Sequence, residues 1–207
     1  MRLLFWCLLG AYLIAVLAQR AFPSQDGPVH LYYADVVNHL MAGDRSYGAY
    51  FGIKHWVPPY AFHYYALIAL TRFLRPLQAE KALVCAYTIC FCLAFRYLLR
   101  GVAAARESGA ADAWSLLAFP FVHNRTLYLG FYNFSFGVAA SLFLAGYWLR
   151  HSGELTVRRI AVVLLLVLAL AMTHPVALAV ALLAMGAHVA LVALAALAEY
   201  RAAGGTW

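Results

Sequence analysis

The longest polar interval of the chain, residues 25–59, gathers the residue types that could carry out acid–base chemistry. Three of the eight acidic residues and three of the eight histidines lie there. The first, Asp26, follows an apolar run and precedes Gly27-Pro28, where an amphipathic helix is predicted to begin. A carboxylate held at that point could accept a proton from a hydroxyl or amine. The alternative interpretation is that Asp26 caps the helix, because a carboxylate is favoured at a helix N-terminus.

Two acid–imidazole pairs recur at helical spacing. Asp26 and His30 are four residues apart, as are Asp35 and His39, so each pair can share one helix face. His30 and Asp35 are predicted to contact substrate. A divalent metal at Asp26 and His30 is the alternative, because carboxylates and imidazoles both ligate metals. The spacing does not imply a tetrahedral cluster of four ligands, and we predict no resident cofactor.

Cationic and amide side chains complete the predicted site. Lys54, His55 and Arg72 could bind a phosphate by charge, with anionic lipid headgroups as the alternative partner. Asn133 stands where a later apolar segment begins, and His174 precedes Pro175. Both are predicted to contact substrate, whereas the alternatives are a helix cap for Asn133 and a turn for His174.

The composition indicates what must position these groups. The chain is 66% hydrophobic and 11% charged, against about 25% charged residues in a soluble domain. Several apolar runs approach the roughly 20 residues that cross a bilayer. We therefore predict an all-α, polytopic transmembrane helix bundle embedded in a lipid bilayer. The net charge of +7 is assigned to orientation in the membrane, and nucleic-acid binding is excluded because a soluble basic face is absent.

One transmembrane domain, residues 1–207, is predicted, with about six spans. The spans are placed at residues 3–18, 79–99, 111–129, 134–149, 160–173 and 176–198. Residues 21–78 form an outer loop with interfacial helices at 29–41 and 60–74. If 60–74 crossed instead, most arginines would lie outside, so the positive-inside bias favours the interfacial placement. The protein is then multi-pass in an inner or plasma membrane, with both termini cytoplasmic.

This topology gathers the titratable groups on one side of the membrane. Six of the eight histidines are predicted at or near the outer face. They are His30, His39, His55, His63, His123 and His174. The acids Asp26, Asp35, Asp44 and Glu80 are predicted there too.

The order of these parts resembles the GT-C superfamily of membrane glycosyltransferases, notably the protein O-mannosyltransferase and aminoarabinose-transferase group. A first span is followed at once by Asp26. A helix over 34–40 then leads into Ala42-Gly43-Asp44, and Lys54 is followed by Pro58-Pro59-Tyr60 and Tyr64-Tyr65. The resemblance covers about residues 1–150 and rests on order and spacing.

The resemblance implies a sugar donor carried on a polyprenyl phosphate or pyrophosphate, used at the outer or periplasmic face. Asp26 would be the catalytic base, and Lys54 would lie near the donor phosphate. The family commonly has a second acid where this chain has Asn133, and often Asp-Glu where it has Asp26-Gly27. The acceptor is unspecified.

Two further hypotheses stay open. One is a non-catalytic membrane subunit that docks a partner chain through its first outer loop. The other is a metal-dependent membrane enzyme that uses Asp26, His30, Asp35 and His39.

Overall fold

A computed structural model describes residues 1–53, 60–102 and 108–203. Helices are the regular secondary structure of this part of the chain, which contains no strand, and this confirms the predicted all-α class. The eleven helices described are α1 (Arg2–Ala18), α2 (Gly27–Met41), α3 (Arg45–Gly48), α4 (Phe62–Thr71), α5 (Pro76–Val102), α6 (Ser108–Trp114), α7 (Ala118–Val122), α8 (Arg125–Tyr128), α9 (Tyr132–His151), α10 (Val157–Thr173) and α11 (Pro175–Ala202).

Local sequence accounts for several helix boundaries. Pro28, Pro76 and Pro175 lie in the first turns of α2, α5 and α11. Proline lacks a backbone N–H, and this costs nothing there because the N–H groups of a first turn have no acceptor within the helix. Thr156 caps α10, and its hydroxyl accepts a hydrogen bond from the amide of Arg159 at 3.3 Å. Helices are present at both positions where interfacial helices were predicted: α2 corresponds to 29–41 and α4 to 60–74.

The predicted third span, residues 111–129, is wrong as a continuous helix. It is divided into α6, a 3-10 turn at Ser115–Leu117, α7 and α8. The clearest break follows α7, where His123 and Asn124 leave helical geometry and the Asn124 side chain caps α8 through the amide of Leu127. An asparagine that bonds a backbone amide in this way starts a new helix instead of extending the old one.

Helix α5 is the centre of the packing. Its buried Leu83, Val84, Tyr87 and Phe91 lie in one apolar core with residues of α1, α2, α4, α7 and α9. It packs most closely on α9, where Gly146 has no side chain: a Cβ there would lie 2.9 Å from the Cα of Leu98. This glycine permits the two helix backbones to approach each other.

Charged groups form a cluster at each of the two ends of the bundle. At one end, which we call the arginine end, Arg2, Arg96 and Arg100 contact Asp112, and Arg150 of α9 contacts the backbone of Tyr97. At the other end lie the start of α5, with Glu80, and the start of α2, with Asp26 and His30. Glu80 and Arg96 are sixteen residues apart on α5, which corresponds to about 24 Å of helix rise.

Lys81 lies at the end of the bundle with Glu80, Asp26 and His30, which we call the acidic end, and it has a structural role there. Its ammonium group donates to the carbonyl oxygens of Leu17 and Gln19 at 3.1 and 3.0 Å. Leu17 lies in the last turn of α1 and Gln19 follows the helix, so their carbonyl oxygens have no partner within it. The pair of bonds joins the end of α1 to the start of α5.

Two of the described helices are long and apolar enough to cross a membrane, namely α5 with 27 residues and α11 with 28. Helices α1 and α4 are apolar but shorter. The predicted bundle of about six spans is therefore not confirmed. Two such helices give only weak support for association with a membrane.

The contact between α5 and α9 generates a testable prediction. We expect Gly146→Ala to lower the midpoint of thermal unfolding in detergent, because the new methyl group would collide with the α5 backbone. Gly186→Ala in α11 is the matched control, since a Cβ there meets nothing within 4 Å and alanine favours a helix by about 1 kcal/mol. Equal midpoints for the two variants would contradict the proposed close approach.

Candidate functional site

A buried carboxylate fixes the first polar loop to the bundle. Glu80 in the first turns of α5 is 2% exposed, and its Oε1 accepts hydrogen bonds from the hydroxyls of Ser24 at 2.6 Å and Tyr132 at 2.5 Å. Gly27 lies against the same oxygen, since a Cβ at position 27 would be 1.8 Å from it. Burial of a carboxylate is costly unless it is hydrogen-bonded, so these partners hold residues 24–27 in place.

Asp26 is positioned through its backbone. The amides of Gln25 and Asp26 donate to the carbonyl oxygens of Tyr128 and Leu129 at 2.8 and 3.3 Å. Gly130 has a φ of +88°, and a Cβ there would lie 2.9 Å from the Cβ of Asp26. A glycine at position 130 is thus required both by its backbone conformation and by the nearness of Asp26.

The Asp26 carboxylate is not a helix cap. Asp26 occupies the N-cap position of α2, but its side chain makes no capping hydrogen bond. Within the described ranges no other hydrogen bond or ion pair engages it, and the residue is half-buried. The carboxylate is therefore left for a function other than starting α2, although it is close enough to His30 to favour the charged imidazole.

His30 connects α2 to the start of α9 and to α4. Its Nε2 lies 3.1 Å from the carbonyl oxygen of Gly130, and its Nδ1 lies 3.1 Å from the hydroxyl of Tyr64 and 3.2 Å from Nε2 of His63. A carbonyl only accepts, so Nε2 of His30 carries the proton and, in the neutral ring, Nδ1 is the acceptor. His63 must then donate from Nε2.

His63 is the most deeply buried imidazole at this end, with 4% exposure. Burial lowers its pKa to about 4, and the neighbouring His30 contributes in the same direction. Burial also lowers the pKa of His30, although the Gly130 carbonyl, Asp26 and Glu80 oppose the effect. Because the two rings share one contact, the pair can take up a single proton: a protonated His63 still donates to His30, whereas protonation of His30 at Nδ1 requires His63 to change its tautomer. We call Asp26, His30, His63 and Glu80 the acid–imidazole cluster.

Asn133 uses its side chain for structure. It is 1% exposed, its Oδ1 accepts from the amide of His63 at 2.9 Å, and its Nδ2 donates to the carbonyl of Tyr60. Tyr60 has a φ of +68°, and its amide donates to the carbonyl of Met172 at 3.1 Å. Asn133 thus fixes the start of α4, since both polar atoms of its side chain bond to the backbone there.

His174 likewise has a structural role at the start of α11. Its Nδ1 accepts a hydrogen bond from the amide of Ala177 at 3.3 Å, which makes it the N-cap of that helix. Its ring lies 4.9 Å from that of Tyr60 and 5.1 Å from that of Phe134. It is near the Asn133 contacts, but not among the residues that bond to His30.

Asp35 and Arg72 line a separate cavity. This cavity, of about 480 Å³, lies between the C-terminal parts of α2 and α4 and includes Asn38, His39 and Thr71. Asp35 lies nine residues beyond Asp26 on α2, or about 14 Å of helix rise. Arg72 bonds to Asn38, a further turn away, at 3.4 Å. The structure does not bring Arg72 to Asp26.

The same rise separates the two acid–imidazole pairs. His39 lies 3.8 Å from Asp35 and 3.1 Å from Asp44, which confirms that Asp35 and His39 share a helix face. Asp26 and His30 are near each other at the other end of α2.

Among the residues that the structure describes, no three His, Cys, Asp or Glu side chains form a group that could hold a metal. The predicted Lys54 and His55 lie outside the described residues.

Sequence reasoning did not assign Glu80, His63, Tyr64 or Tyr132 to the site. Glu80 and His63 were only expected near the outer face. A signal was present, because ionisable residues within otherwise apolar helices tend to face a cavity or the bundle interior. Glu80 and His63 both match this description.

Comparison with protein-family models, with curated proteins and with solved structures finds no match to this chain. The interpretation of the site therefore depends on its own geometry.

The burial of His63 generates a prediction about pH. Its pKa is lower in the folded protein, so the unfolded state binds more protons between about pH 4 and 6.5 and stability falls as the pH is lowered through that window. Between an ordinary value of 6.5 and about 4 the loss from His63 is about 3 kcal/mol. The unfolding midpoint in detergent, measured from pH 7 to pH 4, should show this decline.

The decline should be smaller in His63→Asn, which keeps a polar group but does not titrate. His39→Asn is the control, because its ring stacks on Tyr47 near the surface. If the wild type and His63→Asn show the same pH dependence, His63 is not the group responsible.

Proposed function

We propose that this chain is a membrane glycosyltransferase, or the N-terminal module of one, in which Asp26 is the general base. The observation that carries the proposal is the Asp26 carboxylate, which takes no part in capping α2. Its backbone is nevertheless held firmly by residues 128 and 129. A fixed, half-buried carboxylate without a structural role is what a general base requires.

The chemistry follows from an inverting displacement. Asp26 accepts the proton of the acceptor hydroxyl or amine while that acceptor atom forms a bond to the anomeric carbon. The bond from this carbon to the phosphate oxygen breaks, and the polyprenyl phosphate or pyrophosphate leaves with the electron pair. Such a leaving group needs positive charge nearby, and Lys54 and His55 remain the proposed donors of it.

His30 and His63 have a supporting role in this proposal. Asp26 lies near His30, which shares one contact with His63 and another with Tyr64. The pair can hold one proton near Asp26, because one of the two rings can be protonated while the other accepts its hydrogen bond. Because both rings are buried and favour the neutral form, the proton is readily released again.

We propose that Asp35 and Arg72 act in another step, because their cavity is distant from Asp26 along α2. Their cavity is lined by the cationic side chain of Arg72, which keeps further N–H groups besides those that bond to Asn38 and Met41, so it suits a phosphate or a polar acceptor before reaction. It cannot hold the phosphate that leaves in the step that Asp26 catalyses. Arg72 is thus proposed to bind substrate, but not to stabilise the transition state.

We also propose the multi-pass topology that places the acid–imidazole cluster on the outer face and both termini in the cytoplasm. Support comes from Arg2, Arg96, Arg100 and Arg150, which lie together at the end of the bundle opposite Asp26. Arginines are concentrated on the cytoplasmic side of membrane proteins. The helix α5 is long enough to connect the two faces.

The test is transfer by Asp26→Asn in membranes supplied with polyprenyl-phosphate-linked mannose or aminoarabinose. Release of polyprenyl phosphate should fall about a hundredfold or more, the usual contribution of a general base. The variant should remain folded, because no hydrogen bond to the carboxylate is lost.

Asp44→Asn is the matched control. It removes one carboxylate from the same loop, and asparagine replaces aspartate well as the N-cap of α3. Full transfer by Asp26→Asn, with wild-type stability, would remove Asp26 from the mechanism.

The second candidate is a non-catalytic membrane subunit, and the exposure of α11 favours it. Only Ala177 and Ala181 of this helix are buried in the chain. In a subunit that only docks a partner, alanine at Asp26, His30 and Lys54 would be tolerated, and the chain would be purified in a stoichiometric complex. Loss of transfer on substitution of Asp26 alone distinguishes the enzyme from the subunit.

A further inference from the structure

Three arginines surround one carboxylate at the arginine end. Asp112 is 4% exposed. Its Oδ2 accepts from Nε of Arg2 at 2.8 Å, and its Oδ1 accepts from Nη2 of Arg96 at 2.9 Å and from Nη2 of Arg100 at 2.6 Å. The three arginines carry three positive charges and Asp112 carries one negative charge, so within the described residues two positive charges have no counter-charge. Asp112 therefore organises the three guanidinium groups, but does not neutralise them.

The free donors of this set lie partly in solvent. The Arg2 side chain is 69% exposed and that of Arg100 is 39% exposed. Both use only part of their guanidinium groups on Asp112, so further N–H groups remain available to an anion. Guanidinium groups bind phosphate oxygens in pairs of parallel hydrogen bonds.

Arg96 fixes the inner side of the set. It is buried, with its guanidinium carbon 4.6 Å from the centre of the Phe5 ring, and its Nη1 has no hydrogen-bond partner among the described residues. A buried charged donor without a partner is unfavourable. The positive charge is therefore held inside the bundle and adds to the attraction of an anion toward Arg2 and Arg100.

The surroundings of the set are apolar and exposed. Leu3 follows Arg2, Val102 lies two residues after Arg100, and Trp114 lies two residues after Asp112, with exposures of 77%, 62% and 61%. The set also ends α5, one of the two helices that could cross a membrane. A ligand that matches both properties has an anionic head and an apolar body.

We propose that Arg2, Arg96 and Arg100, organised by Asp112, form a binding site for the phosphate of an anionic phospholipid headgroup. The phosphate would bond to the outer N–H groups of Arg2 and Arg100, and the acyl chains would lie along the exposed apolar residues. Such basic sites at one end of a helix bundle recognise anionic lipids by charge and by geometry. The site is at the opposite end of α5 from Asp26, so it is independent of the proposed catalysis.

The test uses the full chain purified in a neutral detergent. Phosphatidylglycerol, phosphatidylcholine and inorganic phosphate are added separately, and lipid retention is measured by native mass spectrometry together with the unfolding midpoint. Phosphatidylglycerol should be retained and should raise the midpoint, whereas phosphatidylcholine and inorganic phosphate should do so much less. An equal effect of inorganic phosphate would overturn the assignment to a lipid.

Arg2→Gln and Arg100→Gln test the residues. Each should weaken phosphatidylglycerol binding about tenfold, the effect of one lost charge-assisted contact. Arg2 is largely exposed, so its variant remains informative even if Arg100→Gln unfolds. Arg158→Gln is the matched control, since Arg158 is an exposed arginine at the start of α10. Undiminished binding by Arg2→Gln, or an equal loss in Arg158→Gln, would overturn the proposal.

Discussion

The Glu80 carboxylate is the constraint on which the acidic end of the molecule depends. It is buried within the first turns of an apolar helix, where an unpaired charge would be very costly. Ser24 and Tyr132 supply the hydrogen bonds, and Gly27 leaves the space that the carboxylate occupies. These contacts join the first polar loop to α5 and α9 before α2 begins. The position of Asp26, one residue before Gly27, follows from them.

The same end of the bundle shows how the chain assigns its polar residues between structure and chemistry. Asn133 bonds through its oxygen to the amide of His63 and through its nitrogen to the carbonyl of Tyr60. An ionised aspartate could satisfy the amide but would oppose the carbonyl with a second acceptor. The two bonds at the start of α4 therefore explain why position 133 has an amide and not an acid. His174 is likewise occupied by its capping bond.

The sequence was sufficient for features that depend on local pattern. Apolar runs located α1, α5, α9, α10 and α11, and the amphipathic pattern after Pro28 located α2. The sequence pattern was insufficient at residues 111–129. The segment is apolar on average, but the side chain of Asn124 caps a new helix within it, and mean hydropathy does not reveal such a cap. The sequence pattern also did not join His30 to His63, since that contact connects residues 33 positions apart. Periodicity describes one helix, whereas a site assembled from α2, α4, α5 and α9 depends on tertiary packing.

Separation along helices limits which residues can act together. Asp26 and Arg72 belong to one predicted site in sequence, yet α2 places about 14 Å or more of helix rise between Asp26 and the cavity that Arg72 lines. A general base and the group that stabilises the leaving phosphate must both lie within a few ångströms of one reacting carbon. In the proposed reaction, the positive charge would therefore have to come from a residue nearer than Arg72 to the start of α2 or of α4. Tyr60, Asn133 and His63 are joined there by hydrogen bonds, next to the contact between His63 and His30.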